Sequence, residues 1–345
     1  MGNDTGKVDV NKEHTRDGLV KILHDFRDAP ISGEELGEKL GVSRAAVNSH
    51  INQLREMGYV IDAATKTGYR LVSVPDRLLP VELRVRLDGL GAADACIGCE
   101  IHYFPKLEST NDTAKAIAPD VHDGTVVIAE MQTKGRGRLG RAWMSPEGGI
   151  WLSVVLKPKI APQDAAKLTL MAGIAVAYTM REFDIPAEIK WPNDILVNGK
   201  KVCGILTEMS SEADVMEYAV LGIGIDANVD TQKFPLEAKV SATSMQAELG
   251  HPVDRLEFTA KLLIRLNEEY ARFEKAFVDG EIRAFDAMLD EWKSLSDTIG
   301  RVVTIQMRTK IISGEAAGID HNGALIVETD GGIERVFAGD CVYTR

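Results

Sequence analysis

The 345-residue chain holds only four cysteines. That is too few to staple a chain of this length, so a secreted disulfide scaffold is excluded. Long apolar runs are also missing. The longest, near Met171–Tyr178, falls far short of the roughly 20 residues that a membrane-spanning helix needs. Residues 1–18 are polar and charged and offer no apolar core for a signal peptide. These absences lead to the expectation of a cytoplasmic protein with no membrane partner. Positive charge is scarce too: 40 Lys and Arg stand against 52 Asp and Glu, for a net charge of −12. Self-repulsion with phosphate then excludes a nonspecific polyanion binder but leaves room for a local patch. Residues 1–74 hold 10 basic and 11 acidic side chains and the remainder 30 and 41, so the excess acid lies outside the N-terminal part. What is present, 45% hydrophobic and 27% charged residues, is the composition of a globular chain of two or three domains.

Residues 16–72 read as one small unit. Leu19, Ile22, Leu23 and Phe26 fall at helical spacing. Ser32 followed by Glu35 has the form of a capping box opening a second helix, with Leu36 and Leu40 on its apolar face. Gly41-Val42-Ser43 makes a tight turn into a third helix, whose stripe is Val47, Ile51 and Leu54. Tyr59–Asp62 and Tyr69–Val72 form a hairpin around Thr65-Lys66-Thr67-Gly68. Three helices and a hairpin in this order are a winged helix-turn-helix pattern. Its third helix would lie in the major groove, where Arg44, Asn48, Asn52 and Arg55 read bases or hold phosphates and Lys66 on the wing reaches the backbone. A solvated face on a small interaction module accounts for the same residues.

Residues 75–92, with Pro75, Pro80, Gly89 and Gly91, read as a linker holding one short helix. The region from 93 to 296 alternates strands and helices. Strands are expected at Glu100–Phe104, Thr125–Met131, Ile150–Lys157, Glu188–Lys190, Ile195–Val197, Lys201–Glu208 and Tyr218–Ile225. Asn198-Gly199 marks a two-residue hairpin. Long helices are expected at 163–182, 254–277 and 280–293. Hairpins mixed with helices indicate an α+β mixed sheet rather than a parallel one. The tail from Thr298 is rich in Val, Ile and Thr, with Gly-containing turns, which is a small β-barrel pattern.

The segment most suggestive of chemistry is Gly135-Arg136-Gly137-Arg138-Leu139-Gly140-Arg141. It matches G-x-G-x-x-G, but the dinucleotide fingerprint requires a helix to open there. The chain instead runs into Pro146 and Gly148-Gly149, which excludes a regular helix and with it a dehydrogenase. No P-loop sequence is present either. The glycines let the backbone bend around an anion, and the arginines supply forked donors for carboxylate or phosphate. Three cations on one short loop repel one another, so the expectation is a loop that is mobile when empty and ordered by a phosphate-bearing ligand. A second segment, Lys190-Trp191-Pro192-Asn193-Asp194, places a lysine at a strand end before a proline-held turn. A third, Glu108-Ser109-Thr110-Asn111-Asp112, has the form of a helix N-cap. Cys96 and Cys99 form a lone C-x-x-C with no second pair or His partners, so it is given no metal or disulfide role. Gly222 and Gly224 are read as letting a ligand approach the backbone.

In this order the segments resemble the biotin–protein ligases of the type that doubles as the biotin operon repressor. The matching pieces are Ser109-Thr110-Asn111, Gln132, the Gly135–Arg141 loop, Lys190–Asp194, Lys201–Glu208 and Gly222–Asn228, together with Gly318–Leu325 in the tail. The resemblance implies an N-terminal winged helix-turn-helix (1–74), a linker (75–92), a class II synthetase-like catalytic domain binding biotin and ATP (93–296) and an SH3-like C-terminal β-barrel (297–345). It implies a biotin–[acetyl-CoA-carboxylase] ligase that uses ATP and Mg²⁺ to form biotinyl-5′-AMP and passes biotin to a lysine of a carboxyl carrier protein. Ser109, Thr110, Asn111 and Gln132 match positions that bind the biotin rings. Arg136, Gly137 and Arg138 match the covering loop, with Gly135, Gly140, Arg141, Asn193 and Asp194 beside the adenylate. Lys190, with Arg138, would bridge the carboxylate and the α-phosphate.

The resemblance further implies an operator-binding homodimer that forms when the adenylate orders the loop, through a sheet edge near Ile150–Leu156. Two other readings stay open: a ligase whose winged helix is not a repressor, and a ligand-sensing transcription factor without catalysis. One departure stands out. Asp226 occupies a position where the family commonly has Asn, and an acid there either helps hold Mg²⁺ or repels phosphate.

Overall fold

The computed structural model describes residues 10–64, 68–212, 215–277, 282–307 and 309–343. They form two compact units divided between Gly91 and Ala92.

The first unit contains α1 (Val10–Asp25), α2 (Gly33–Leu40), α3 (Arg44–Glu56), β1 (Val60–Ala64), β2 (Gly68–Ser73) and α4 (Pro80–Gly89). Ser32 and Ser43 cap α2 and α3, their hydroxyls accepting the amides of Glu35 and Ala46. Each such cap contributes about 1 kcal/mol. Gly41 ends α2 at φ 66°, a left-handed conformation in which a Cβ would be strained. Leu19, Leu23, Leu36, Val47, Ile51 and Leu54 are buried at 0–1% exposure and close the helix-turn-helix core. Antiparallel β1 and β2 make the wing, and Ile31 pairs with Tyr69 beside it. Lys66, expected on this wing, lies outside the described residues.

The stretch expected as a linker carries α4, whose Leu83 and Leu87 are buried. Glu82 is fully buried in this unit. It takes His24 Nε2 of α1 at 3.0 Å and Arg86 Nη1 at 3.0 Å. Burial works to raise the Glu82 pKa, but hydrogen bonds from its neighbours, His24 foremost, hold it below the usual value.

The second unit is built on a seven-stranded sheet. In chain order its first elements are β3 (Ile101–Phe104), α5 (Thr110–Ile117), β4 (Val126–Ala129), β5 (Ile150–Leu156), α6 (Ala165–Arg181), β6 (Ala187–Lys190), β7 (Asp194–Val197), β8 (Lys200–Glu212) and β9 (Val215–Ile225). Helices α7 (Leu236–Ser241), α8 (Met245–Leu249), α9 (Arg255–Phe277) and α10 (Ile282–Ser294) follow. The strand order is β3-β4-β5-β9-β8-β7-β6. Only β3 and β4, joined through α5, run parallel, so the sheet is mixed, as expected. Asn198 (φ 51°) and Gly199 (φ 75°) turn β7 into β8, as the Asn-Gly pair demands. Helix α6 is buried nearly all round and bonds the sheet through Thr169 and Thr207, 2.8 Å apart.

The expectation that Ile150–Leu156 borders a sheet edge is overturned. β5 is the third of seven strands, paired with β4 on one side and β9 on the other. All seven of its residues are buried, and an uninterrupted buried run of this kind is the mark of a strand covered on both faces. It cannot offer a free edge for a dimer.

The chain closes with β10 (Val302–Gln306), β11 (Ile311–Ile319), β12 (Leu325–Thr329), β13 (Gly332–Val336) and β14 (Asp340–Tyr343). They form a five-stranded antiparallel sheet in the order β13-β12-β11-β10-β14.

Candidate active site

Alternate residues of a strand share one face. On β9 this sets Gly222 and Gly224 on the same side of the sheet, opposite Leu206 and Gly204 of β8 in register. Neither glycine simply clears space for a ligand, as the sequence had implied. A Cβ on Gly222 would sit 2.1 Å from Asn111 Oδ1, and one on Gly224 would sit 2.6 Å from Trp143 Nε1. The glycines let these two side chains lie flat on the sheet. Above them is a cavity of about 480 Å³, of the size that takes a small-molecule ligand.

One end of the cavity is a chain of hydroxyls and amides. Ser109 caps α5, accepting the Asp112 amide at 3.4 Å. The Thr110 N–H and O–H both donate to Gln132 Oε1, at 2.8 and 3.1 Å. Gln132 Nε2 donates to Ser145 at 2.9 Å. Ser153 donates to Asn111 Oδ1 at 2.6 Å, and Asn111 Nδ2 donates to Glu208 Oε2 at 2.8 Å. Ser153 was missed by sequence reasoning. Its signal is a lone hydroxyl inside the otherwise apolar strand β5.

The glycine–arginine segment folds over this sheet face. Arg136 pairs with Ala142 in a short bridge, Gly137 N–H donates to Arg141 O at 2.7 Å, and Trp143 N–H donates to Gly135 O at 2.8 Å. The expected mutual repulsion of three bare cations does not arise, because two of them meet carboxylates distant in sequence. Arg136 is paired with Asp112 of α5 and Glu208 of β8, and Arg141 with Asp340 of β14. Hydrogen bonds from Arg136 hold Asp112 below the usual carboxylate range. Burial works to raise Glu208, but Asn111, Lys115 and Arg136 outweigh it and keep it low.

Arg138 and Lys190 differ. Arg138 Nη1 donates to Asn193 Oδ1 at 3.0 Å and Nη2 to the Gly339 carbonyl at 3.3 Å. Lys190, at the end of β6, lies 4.8 Å from the Tyr343 ring centre. Among the described residues neither cation is ion-paired with a carboxylate, and both line the cavity. Burial lowers the Arg138 pKa, with Asp340 and Asp194 acting against it and Arg141 adding to it. Two underneutralised cations facing one cavity form a site for an anion.

The structure brings Ser109, Thr110, Asn111, Gln132, Arg136, Gly137, Arg138, Arg141, Lys190, Asn193 and Asp194 to this cavity. Gly135 and Gly140 lie in the loop without lining it. Asp194 is engaged by Lys201 Nζ at 2.6 Å. Arg44, Asn48, Asn52 and Arg55 belong to the first unit and are exposed on α3. Arg55 donates to the Ile61 carbonyl of the wing at 2.7 Å, and Asn48 accepts the Tyr69 hydroxyl at 3.3 Å.

Known families match the same three parts of the chain. Residues 103–226 match the biotin/lipoate A/B protein ligase family, 17–70 an HTH domain and 298–343 the biotin protein ligase C terminal domain. The class defined by fold and cavity is thus a protein ligase of the biotin/lipoate type. The chain is 37% identical over 328 residues to the bifunctional ligase/repressor BirA of Bacillus subtilis, covering 94% of this chain and 97% of that one. It is 32% identical over 311 residues to the Escherichia coli BirA, covering 90% and 91%. The biotin protein ligase of Aquifex aeolicus, solved with biotin and ATP, superposes with a TM-score of 0.61 at 30% identity, over 71% of this chain and 99% of that one. This chain belongs to the BirA family of bifunctional biotin ligase/repressors.

Proposed function

We propose that the protein is an ATP-dependent biotin–protein ligase that also acts as a biotin-responsive transcriptional repressor. The observation that carries the catalytic half is the pair Arg138 and Lys190, two cations without carboxylate partners among the described residues, on a cavity whose other loop arginines are already paired. Joining biotin to ATP requires a carboxylate oxygen to attack a phosphorus ringed by negative oxygens. The barrier is charge repulsion, and preorganised cations lower it. Lys190 and Arg138 would lie between the two anions. A bond forms from the biotin carboxylate to the α-phosphorus as the bond to pyrophosphate breaks.

The hydroxyl–amide chain of Ser109, Thr110, Asn111 and Gln132 offers donors and acceptors to the ureido ring of biotin. The Gly135–Arg141 segment covers the mixed anhydride and excludes water. The amine of a carrier lysine then attacks the acyl carbon and AMP leaves, with no nucleophile from this chain. Magnesium would come bound to the phosphates of ATP, where it screens the departing pyrophosphate. The described residues contain no group of three His, Cys, Asp or Glu side chains that would hold the ion independently.

The α3 face with Arg44, Asn48 and Asn52 would meet operator DNA, and one copy presents one such helix, so a homodimer reading two half-sites is the repressing form. DNA binding would belong to the first unit, in which α4 is packed and which runs to Gly91, catalysis to 93–296 and the terminal sheet to 297–345. The protein would work in the cytoplasm, and none of the described helices is long and apolar enough to cross a membrane. The deciding experiment is ATP–pyrophosphate exchange with radiolabelled pyrophosphate and either biotin or lipoate. Exchange with biotin alone is expected, and its absence refutes the reading.

A further inference from the structure

Cys96 and Cys99 close a hydrogen-bonded turn just after the division between the two units. The Cys99 N–H donates to the Cys96 carbonyl at 3.2 Å, and Gly98 between them has φ 89°, the conformation of the third position of a type II turn. Spacing alone assigns this pair no role. The fold gives the two sulfurs a common direction. Both thiols donate to the Asp123 carbonyl, Cys96 at 3.4 Å and Cys99 at 3.8 Å.

The backbone of the turn is pinned from several sides. Ile97 is fully buried, and its N–H donates to Asn267 Oδ1 of α9 at 3.2 Å. The Gly98 N–H donates to the Gly124 carbonyl at 2.9 Å. Gly124 has φ 81°, and a Cβ on it would meet the Cys96 carbonyl oxygen at 2.2 Å, so the two backbones are in direct contact. Asp123 is fixed in turn. Its carboxylate accepts the Lys157 amide at 2.9 Å and the Tyr270 hydroxyl at 3.0 Å. The two cysteines themselves are exposed.

A turn of this kind keeps its outer Cα atoms within about 7 Å, and a disulfide spans about 4.4–6.8 Å between Cα atoms. Bonding the two sulfurs therefore asks for rotation of the side chains and no refolding. A structural metal ion is a poorer match, because it takes about four ligands. Among the described residues no group of three His, Cys, Asp or Glu side chains forms here. Burial, with Asp123, Cys99 and Glu274 adding, pushes the Cys96 thiol up to about 11. A sulfur that holds its proton this firmly is a poor leaving group once bonded. The other two cysteines, Cys203 and Cys341, are buried.

We propose that Cys96 and Cys99 are a modification site, a dithiol that hydrogen peroxide oxidises to an intrachain disulfide. One sulfur attacks a peroxide oxygen and the O–O bond breaks, giving a sulfenic acid and water. The second sulfur attacks the sulfenic sulfur, the S–S bond forms as the S–O bond breaks, and a second water leaves. The sulfurs lose two electrons to the peroxide, and both thiol protons end in water. The pair touches the chain just before β4, whereas the covering loop leaves after β4. The site is therefore separate from the cavity, and the inference does not depend on the ligase reading.

The test treats the full reduced chain with hydrogen peroxide and follows intact mass, thiols titrated in denaturant, and a non-reducing gel. The expected product is a monomer lighter by about 2 Da, with two of its four thiols lost and a peptide joining Cys96 to Cys99. Dithiothreitol should restore both thiols. Cys96→Ser and Cys99→Ser should each abolish the mass loss. Four thiols persisting in peroxide, a gain of about 32 Da on one cysteine, or disulfide-linked dimers of the wild type would overturn the proposal. So would a mass loss that survives in either serine variant. Pyrophosphate exchange with biotin should run at the same rate before and after oxidation; a changed rate would overturn the separation of this site from the cavity, while exchange by the reduced chain reports on the ligase reading by itself.

Discussion

Arg136 Nη2 lies 2.8 Å from Glu208 Oε2, so the loop that covers the cavity is tied to the strand that floors it. Asp112 on α5 holds the same guanidinium from the other side, at 2.7 Å from Nη2 to Oδ1. The pair is partly exposed, and solvent limits its contribution to about 1 kcal/mol. Its value is positional. Replacing Glu208 by Ala should leave the fold intact but speed tryptic cleavage within 136–141 and raise the fraction of adenylate released before transfer. Both carboxylates titrate below their ordinary values. Their contribution is therefore complete above about pH 4.5 and is lost as pH falls through the depressed values. Cleavage of the wild-type loop should be flat from pH 6 to 8; a change in that range would sink the assignment.

Lys190 has a different dependence. Its ammonium lies over the ring of Tyr343 and is ion-paired with no carboxylate among the described residues, so removing it leaves none of them unpaired. Lys190→Ala should slow adenylate formation by about 10²–10³, the usual cost of losing one charge-stabilising donor. Lys190→Arg should not restore it, because a guanidinium does not place its charge where an ammonium does. Single-turnover adenylate formation, with a melting curve to show folding, checks both.

On the recognition helix two arginines separate by what they touch. Arg44 is exposed, whereas the Arg55 guanidinium donates twice to the Ile61 carbonyl and once to Asn52. Arg44→Ala should weaken operator binding and reduce the magnitude of its salt slope by about 1, as expected for a lost phosphate contact. Arg55→Ala should lower the melting temperature of the N-terminal unit by about 4–8 °C, the shift for about 1 kcal/mol in a domain of this size. Gel shift with biotin and ATP, and thermal melting, distinguish the two. No shift with the wild type would favour a ligase without repression.

Much of this was legible from local pattern. The strands of the mixed sheet lie where apolar runs and the Asn198-Gly199 turn put them, because strand period and turn chemistry are properties of neighbouring residues. The caps at Ser32 and Ser43 are local in the same sense. Long-range pairing was not legible. Nothing near Ile150–Leu156 says whether it lies at the rim or inside, since that depends on β9, some 70 residues on. Likewise the counter-charges of Arg136 and Arg141 come from Asp112, Glu208 and Asp340, and no spacing rule joins these positions. Gly222 and Gly224 were recognisable as places of close approach, but what approaches them is a pair of side chains from α5 and the loop.

The C-terminal sheet reaches back to the cavity at two points: the Gly339 carbonyl takes Arg138 and Asp340 takes Arg141. A latch needs a keeper, and here the keeper is made in the last seven residues of the chain. Shortening the protein at this end would thus free the cover at its far side, and an enzyme clipped there would spill its reactive anhydride as well as lose a domain.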